Sequence, residues 1–177
     1  MTSTLRVAAV IPARMGSSRF PGKPLIPILG LPMIEHVRRR VEKMRRIDEV
    51  IVATCDREIA EVVERFGGRV IMTSDKHERA TERIEEAAAQ IKADVVINVQ
   101  GDEPMVLEQP LMDLVSPFEG HSELQCTCIV YPILDPRDLA NDNIVKVVLS
   151  QSGKIIYLSR AGIPGRAPQP TTHYFKQ

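Results

Sequence analysis

Three stretches of the 177-residue chain combine residue types suited to holding phosphate, a hard metal ion and polar ring systems. The first, Pro12 to Pro24, sets Arg14, Arg19 and Lys23 among two glycines and the hydroxyls of Ser17 and Ser18. Such a loop can bend backbone N–H groups around phosphate oxygens while its cations neutralise charge. A surface loop rich in turn formers is the alternative reading of the same residues. Gly16 and Gly22 enclose five residues where a Walker A loop has four, and Pro24 stands where that motif needs a metal-binding hydroxyl. G-x-G-x-x-G is also missing, so P-loop ATPase and dinucleotide-cofactor chemistry lose their sequence support.

The second stretch, Asn98-Val99-Gln100-Gly101-Asp102-Glu103-Pro104, ends a run of β-formers in two adjacent carboxylates. Magnesium commonly takes one or two protein carboxylates and fills its shell with substrate phosphate and water, which makes Asp102 the candidate ligand. A strand-end turn punctuated by Gly101 and Pro104 would use the same residues. In the third stretch, Thr73 to Arg83, the hydroxyls of Thr73 and Ser74 could hold a base or ribose while Arg83 reaches a phosphate. By itself this segment reads as a helix N-terminal region with solvated charge. His77 has no Cys or second His at zinc spacing and reads as a surface histidine; His36 is expected on the polar side of its helix. No nucleophile elbow, His-containing triad or zinc signature is present.

Each stretch follows a short buried run. Val7 to Ile11, Val50 to Ala53, Arg69 to Met72 and Val95 to Val99 read as strands buried on both faces. Between and after them come apolar stripes at helical spacing: Ile34, Val37, Val41 and Met44; Ile59, Val62, Val63 and Phe66; Ile84, Ala87, Ala88 and Ile91; Leu111, Leu114, Val115 and Phe118. Gly67 and Gly68 are expected to close the second helix. This alternation predicts an α/β fold with a parallel sheet covered on both sides, whose ligands gather at the carboxyl ends of the strands. After residue 120 the pattern changes to strands at Cys126 to Ile133, Ile144 to Leu149, Lys154 to Ser159 and Thr172 to Phe175, expected as antiparallel additions to the sheet. Gly162 to Pro170 is expected as a loop.

Lys and Arg number 23, as do Asp and Glu, so the formal charge is zero, and aromatic residues are 4%. That balance argues against nucleic-acid and anionic-membrane binding, and the scarcity of aromatics argues against base-stacking platforms. The basic run Arg38 to Arg46 is flanked by Glu35, Glu42, Asp48 and Glu49 and reads as a solvated helix face. Cys55, Cys126 and Cys128 form no C-x-x-C pair, and neither an export signal nor a membrane span is recognisable, so a reducing, cytoplasmic setting is expected. The length fits one domain, 1–177.

Taken together, Ile11 to Leu25, Gly67-Gly68 before a strand ending in Thr73-Ser74, Asn98 to Pro104, Asn143 to Val148 and Tyr157 to Ala161 resemble the CMP-sugar-acid synthetases, in order along nearly the whole chain. The resemblance implies a three-layer α/β/α, Rossmann-like nucleotide-diphospho-sugar transferase fold. It also implies transfer of CMP from CTP to the anomeric hydroxyl of a keto sugar acid, with release of pyrophosphate, for envelope polysaccharide. 3-Deoxy-manno-octulosonate (Kdo) is the first expectation for that acid, a neuraminate-like acid the alternative, and a nucleotide-binding module without turnover the reading from another class.

By resemblance, Arg14, Ser17, Arg19 and Lys23 hold the triphosphate, Thr73, Ser74 and Arg83 lie by the cytidine and its phosphates, Asp102 carries Mg²⁺, and Gln100, Arg160 and Gln177 face the sugar acid. Arg14, Lys23 and Asp102 are the expected catalytic set. The sequence departs from the family at Arg79 and Ala80, where a small residue and a glycine are usual, and at Gln177, where a histidine is usual. The family also continues past this point with a dimerisation segment and a second metal-binding aspartate, so a truncated member of a homodimeric family is expected.

Overall fold

Val7, Ala9, Ile11 and Ala13 point to one side of their strand and Ala8 and Val10 to the other, and all are buried. This two-sided burial fixes the strand at the centre of a sheet. In the computed structural model, which describes residues 5–16, 20–163 and 175–177, it is strand β1, Val7–Ala13. A small hairpin follows, β2 (Pro27–Ile28) and β3 (Leu31–Pro32), and then helix α1, Met33–Glu42. The alternation continues with β4 (Glu49–Thr54), α2 (Arg57–Arg65), β5 (Arg69–Met72), α3 (Ala80–Ala88), β6 (Val95–Asn98) and α4 (Glu108–Val115). β4, β5 and β6 match the four-strand expectation to within one residue at most ends.

The strands lie in the order β5-β4-β1-β6, all parallel, with Val10 opposite both Ile51 and Asn98. Ile34, Val37 and Val41 of α1, Ile59 and Val63 of α2, and Leu111 and Val115 of α4 cover one face. Ala87 and Ile84 of α3 cover the other. Each fully buried Val or Ile contributes about 1.5–3 kcal/mol relative to exposure. Helix α2 ends as the glycine pair predicts: Gly67 takes φ +76°, its N–H donates to the Glu64 carbonyl, and the Gly68 N–H donates to that of Val63.

Whereas the length fits one domain, the chain packs as two compact units, Met1–Leu124 and Gln125–Gln177. In the second, β7 (Tyr131–Pro132), β8 (Lys146–Leu149), β9 (Ile155–Ser159) and β10 (Phe175–Lys176) pair antiparallel in the order β7-β10-β8-β9. The antiparallel strands expected after residue 120 are therefore present, but they pair with one another in a sheet of their own. The run Cys126 to Ile133 pairs only at Tyr131 and Pro132, and of Thr172 to Phe175 only Phe175 falls among the described residues. Lys146 is buried, and its ammonium donates to the carbonyls of Asn141 (2.7 Å), Ile144 (3.1 Å) and Arg160.

The basic run is solvated at Lys43, Arg45 and Arg46, as expected, but not at Arg38. Arg38 is 3% exposed and meets fully buried Glu35 through two hydrogen bonds, Nε to Oε1 at 2.7 Å and Nη2 to Oε2 at 2.9 Å. Glu42 and the Phe66 carbonyl take further donors, and hydrogen bonding to Glu35 holds the guanidinium pKa above its usual value. Arg39 also reaches Glu35 and lies over the Phe66 ring, 4.9 Å from its centroid. A carboxylate three residues back turned the guanidinium inward, which the apolar stripe alone did not reveal. No helix of the described residues is long and apolar enough to cross a membrane.

Candidate functional site

The chain runs outward from β1 through β4 to β5 and then crosses back to β6 on the other side of β1, so the strand order reverses at the carboxyl ends of β1 and β6. Open α/β sheets bind ligands at such a point. A cavity of about 750 Å³ opens there, and Arg14, Lys23, Arg83, Gln100 and Asp102 all line it. Two of the predicted triphosphate-loop residues, Ser17 and Arg19, lie outside the described residues.

Arg14 is the first residue past β1 and is exposed. The loop it begins closes on itself, with the Gly22 N–H donating to the Met15 carbonyl at 3.0 Å. Gly22 takes φ +73°, a conformation that suits glycine, and starts the short 3₁₀ turn Lys23–Leu25. That turn aims Lys23 across the switch point, where its Nζ lies 2.6 Å from Asp102 Oδ2.

Asp102 arrives from the other side on the turn after β6. A Cβ placed on Gly101 would lie 2.8 Å from the Pro12 carbonyl oxygen, so only glycine lets this turn approach the end of β1 so closely. Gln100 donates from Nε2 to Asn98 Oδ1 at 3.0 Å, fixing its side chain at the rim. Burial, reinforced by the charge of Asp102, raises the Glu103 pKa above the ordinary carboxylate value.

Beyond β5 the predicted trio divides. Arg83 lines the cavity but is only 3% exposed, donating from Nη1 to the Thr73 hydroxyl and from Nη2 to Cys55 Sγ at 3.4 Å. Thr73 is buried and its hydroxyl is turned to Arg83, and neither Thr73 nor Ser74 lines the cavity. The Ser74 N–H donates to Glu86 Oε2 at 2.9 Å, and its hydroxyl accepts from the Lys76 N–H. The helix-start reading of this segment holds as well, since Glu82 Oε2 accepts the N–H groups of Glu78 and Arg79 at the head of α3.

The cavity also includes residues the sequence left aside. His77, read as a surface histidine, lines it with its side chain 22% exposed, and its Nε2 lies 2.5 Å from Glu86 Oε2. Arg79, the departure from the family pattern, lines it too. Their position between a strand exit and a helix start was the available signal. His36 bonds through Nε2 to the Ile28 carbonyl at 2.7 Å.

Arg160 and Gln177 belong to the second unit. Arg160 donates from Nη1 to the carbonyls of Asp142 and Asn143, each at 3.1 Å, and the Gln177 N–H donates to the Val145 carbonyl at 3.1 Å. The Cys55, Cys126 and Cys128 thiols are free.

Among the described residues there is no group of three or more His, Cys, Asp or Glu placed to hold a metal. A half-exposed carboxylate among cations fits a hard ion that takes one protein oxygen and completes its shell with phosphate and water. With Arg14, Lys23 and Arg83 around the same space, the arrangement can gather a polyanion and neutralise it at several points.

A family profile described as cytidylyltransferase matches residues 8–177. A 3-deoxy-manno-octulosonate cytidylyltransferase of Geobacter metallireducens is 42% identical over 160 residues, covering 90% of this chain and 63% of that protein. Its counterpart in Idiomarina loihiensis is 46% identical over 158 residues, covering 88% and 62%. A solved CMP:2-keto-3-deoxy-manno-octonic acid synthetase complexed with CTP matches with a TM-score of 0.88 at 38% identity, over 97% of this chain and 70% of that one. The chain thus spans slightly under two thirds of the length of these curated relatives.

Proposed function

The chain belongs to the cytidylyltransferase family, and from that membership and the cavity we propose that it binds CTP and transfers CMP to a keto sugar acid, Kdo in the first instance. The anomeric hydroxyl oxygen attacks the α-phosphorus, the bond to the β-phosphate oxygen breaks, pyrophosphate leaves and the hydroxyl proton is released. Phosphoryl transfer of this kind depends chiefly on alignment and on neutralising charge. The observation that carries the reading is the meeting of Lys23 and Asp102, from the ends of two adjacent parallel strands, inside one cation-lined cavity.

In this reading Arg14 and Lys23, with Ser17 and Arg19 in the same loop, hold the triphosphate. Arg83, braced by Thr73, adds charge from a buried position where it is worth more than in water. Asp102 is the residue that would hold Mg²⁺, which when bound supplies positive charge at the α-phosphate and acidifies the attacking hydroxyl. Gln100 on the cavity wall is the proposed sugar-acid residue of the first unit, and the same role for Arg160 and Gln177 rests on the family resemblance alone.

The test is calorimetric binding of CTP with and without Mg²⁺, followed by pyrophosphate release on adding Kdo or a neuraminate-like acid. Mg²⁺-dependent CTP binding and release with Kdo are expected. Release with the neuraminate-like acid alone would replace the substrate, and no CTP binding under either condition would overturn the reading.

A further inference from the structure

Asp56 sits at the N-cap of α2, where an aspartate ordinarily accepts an N–H from its own helix, yet its side chain makes no capping bond there. Its Oδ2 instead accepts the N–H of Met15, 41 residues away in sequence, at 2.8 Å. Two local contacts hold the carboxylate in that pose. The Asp56 N–H donates to the hydroxyl of fully buried Thr54 at 3.1 Å, and the Cys55 thiol lies 3.6 Å from the same Oδ2. Met15 is bonded on its other side as well, its carbonyl accepting from Gly22.

The chain of contacts Asp56–Met15–Gly22 therefore crosses the neck of the loop, and the residues just outside the two bonded loop positions are Arg14 and Lys23. The geometry points to Asp56 as a positioning residue: it forgoes capping its own helix to clamp the neck of the cationic loop, setting where Arg14 and Lys23 present their charges. This rests on the CTP-binding reading above. On the loop the clamp engages backbone groups alone, and Asp56 does not line the cavity, so it fixes the loop without occupying the ligand's space. A hydrogen bond to a charged acceptor is among the stronger ones in a fold, and its loss leaves the neck held by the Gly22–Met15 bond without its outside anchor.

Three variants of the full chain separate the clamp from a capping role. Asp56→Ala removes the clamp and leaves α2 with no side chain that could cap it. Asp56→Ser retains a good N-cap hydroxyl for α2 but is too short to reach Met15, and Asp56→Asn retains an acceptor of the right length. At a temperature well below melting, Asp56→Ser is expected to weaken CTP binding about tenfold or more, with Asp56→Asn recovering most of the loss. Hydrogen exchange at the Met15 and Gly22 amides is expected to speed up at least about tenfold in Asp56→Ser and to change little in Asp56→Asn.

Unchanged exchange at both amides in Asp56→Ser overturns the inference, as does wild-type CTP affinity in that variant or no recovery in Asp56→Asn. Should the wild-type chain bind no CTP, the functional reading fails by itself, while the amide exchange still reports on the clamp.

Discussion

Replacing Gly101 by alanine tests whether the approach of two strand exits sets the site. The added methyl would stand 2.8 Å from the Pro12 carbonyl oxygen, about 0.6 Å short of an ordinary contact, against backbone that cannot swing aside. The turn carrying Asp102 must then move off β1 by a few tenths of an ångström. Overpacking of this kind costs about 1–3 kcal/mol, which for a chain of this size lowers Tm by roughly 2–12 °C. A displacement of 1 Å in a reacting arrangement can cost about a hundredfold, so half of that or slightly more corresponds to about a tenfold loss. Pyrophosphate release from CTP and Kdo with Mg²⁺ at 25 °C measures the rate, and a thermal melt measures the stability. A Gly101→Ala protein that melts like the wild type and releases pyrophosphate at an undiminished rate would refute the reasoning.

Glu35→Ala leaves the Arg38 guanidinium buried against Gly68 with its main partner gone, and chemical denaturation is expected to show a loss of about 3–5 kcal/mol; a loss below about 1 kcal/mol would contradict the buried pair. The pKa of Glu86 is lowered by the Ser74 N–H and then by His77, and that of Glu82 by the Arg79 and Glu78 N–H groups. Because both folded values lie below the unfolded carboxylate value of about 4.3, their contribution is complete above that pH and is lost as pH falls through the folded values. Denaturation followed against pH should therefore show a shallower acid limb in Glu86→Gln than in the wild type, and superimposable limbs would count against the contact.

The parallel sheet was legible because its strands are short runs of Val, Ile and Ala buried on both faces, and because three- and four-residue apolar steps mark the helices between them. Lys23 and Asp102 could be paired before any geometry was known, since both follow such runs and open sheets concentrate ligands at those ends. Side-chain direction was harder to read. Periodicity counts apolar residues and so places Arg38 in solvent, and only the fold brings Glu35, Glu42 and the Phe66 carbonyl around its guanidinium. Thr73 carries a hydroxyl at a strand exit, yet that hydroxyl serves Arg83, a contact spanning ten residues that depends on how α3 returns over the sheet. His77 looked like an isolated surface residue because Glu86, its partner, lies on the following helix. The long strand read over Cys126 to Ile133 shrank to two residues because β propensity does not guarantee a neighbouring strand to pair with.

The most direct test of the central claim, that a cationic strand-exit loop and one carboxylate meet on a single triphosphate, is the Mg²⁺ dependence of CTP affinity in Asp102→Asn. The account predicts that this variant folds like the wild type and still binds CTP without metal through Arg14, Lys23 and Arg83, but gains no affinity when Mg²⁺ is added. An undiminished Mg²⁺ enhancement in Asp102→Asn would contradict it.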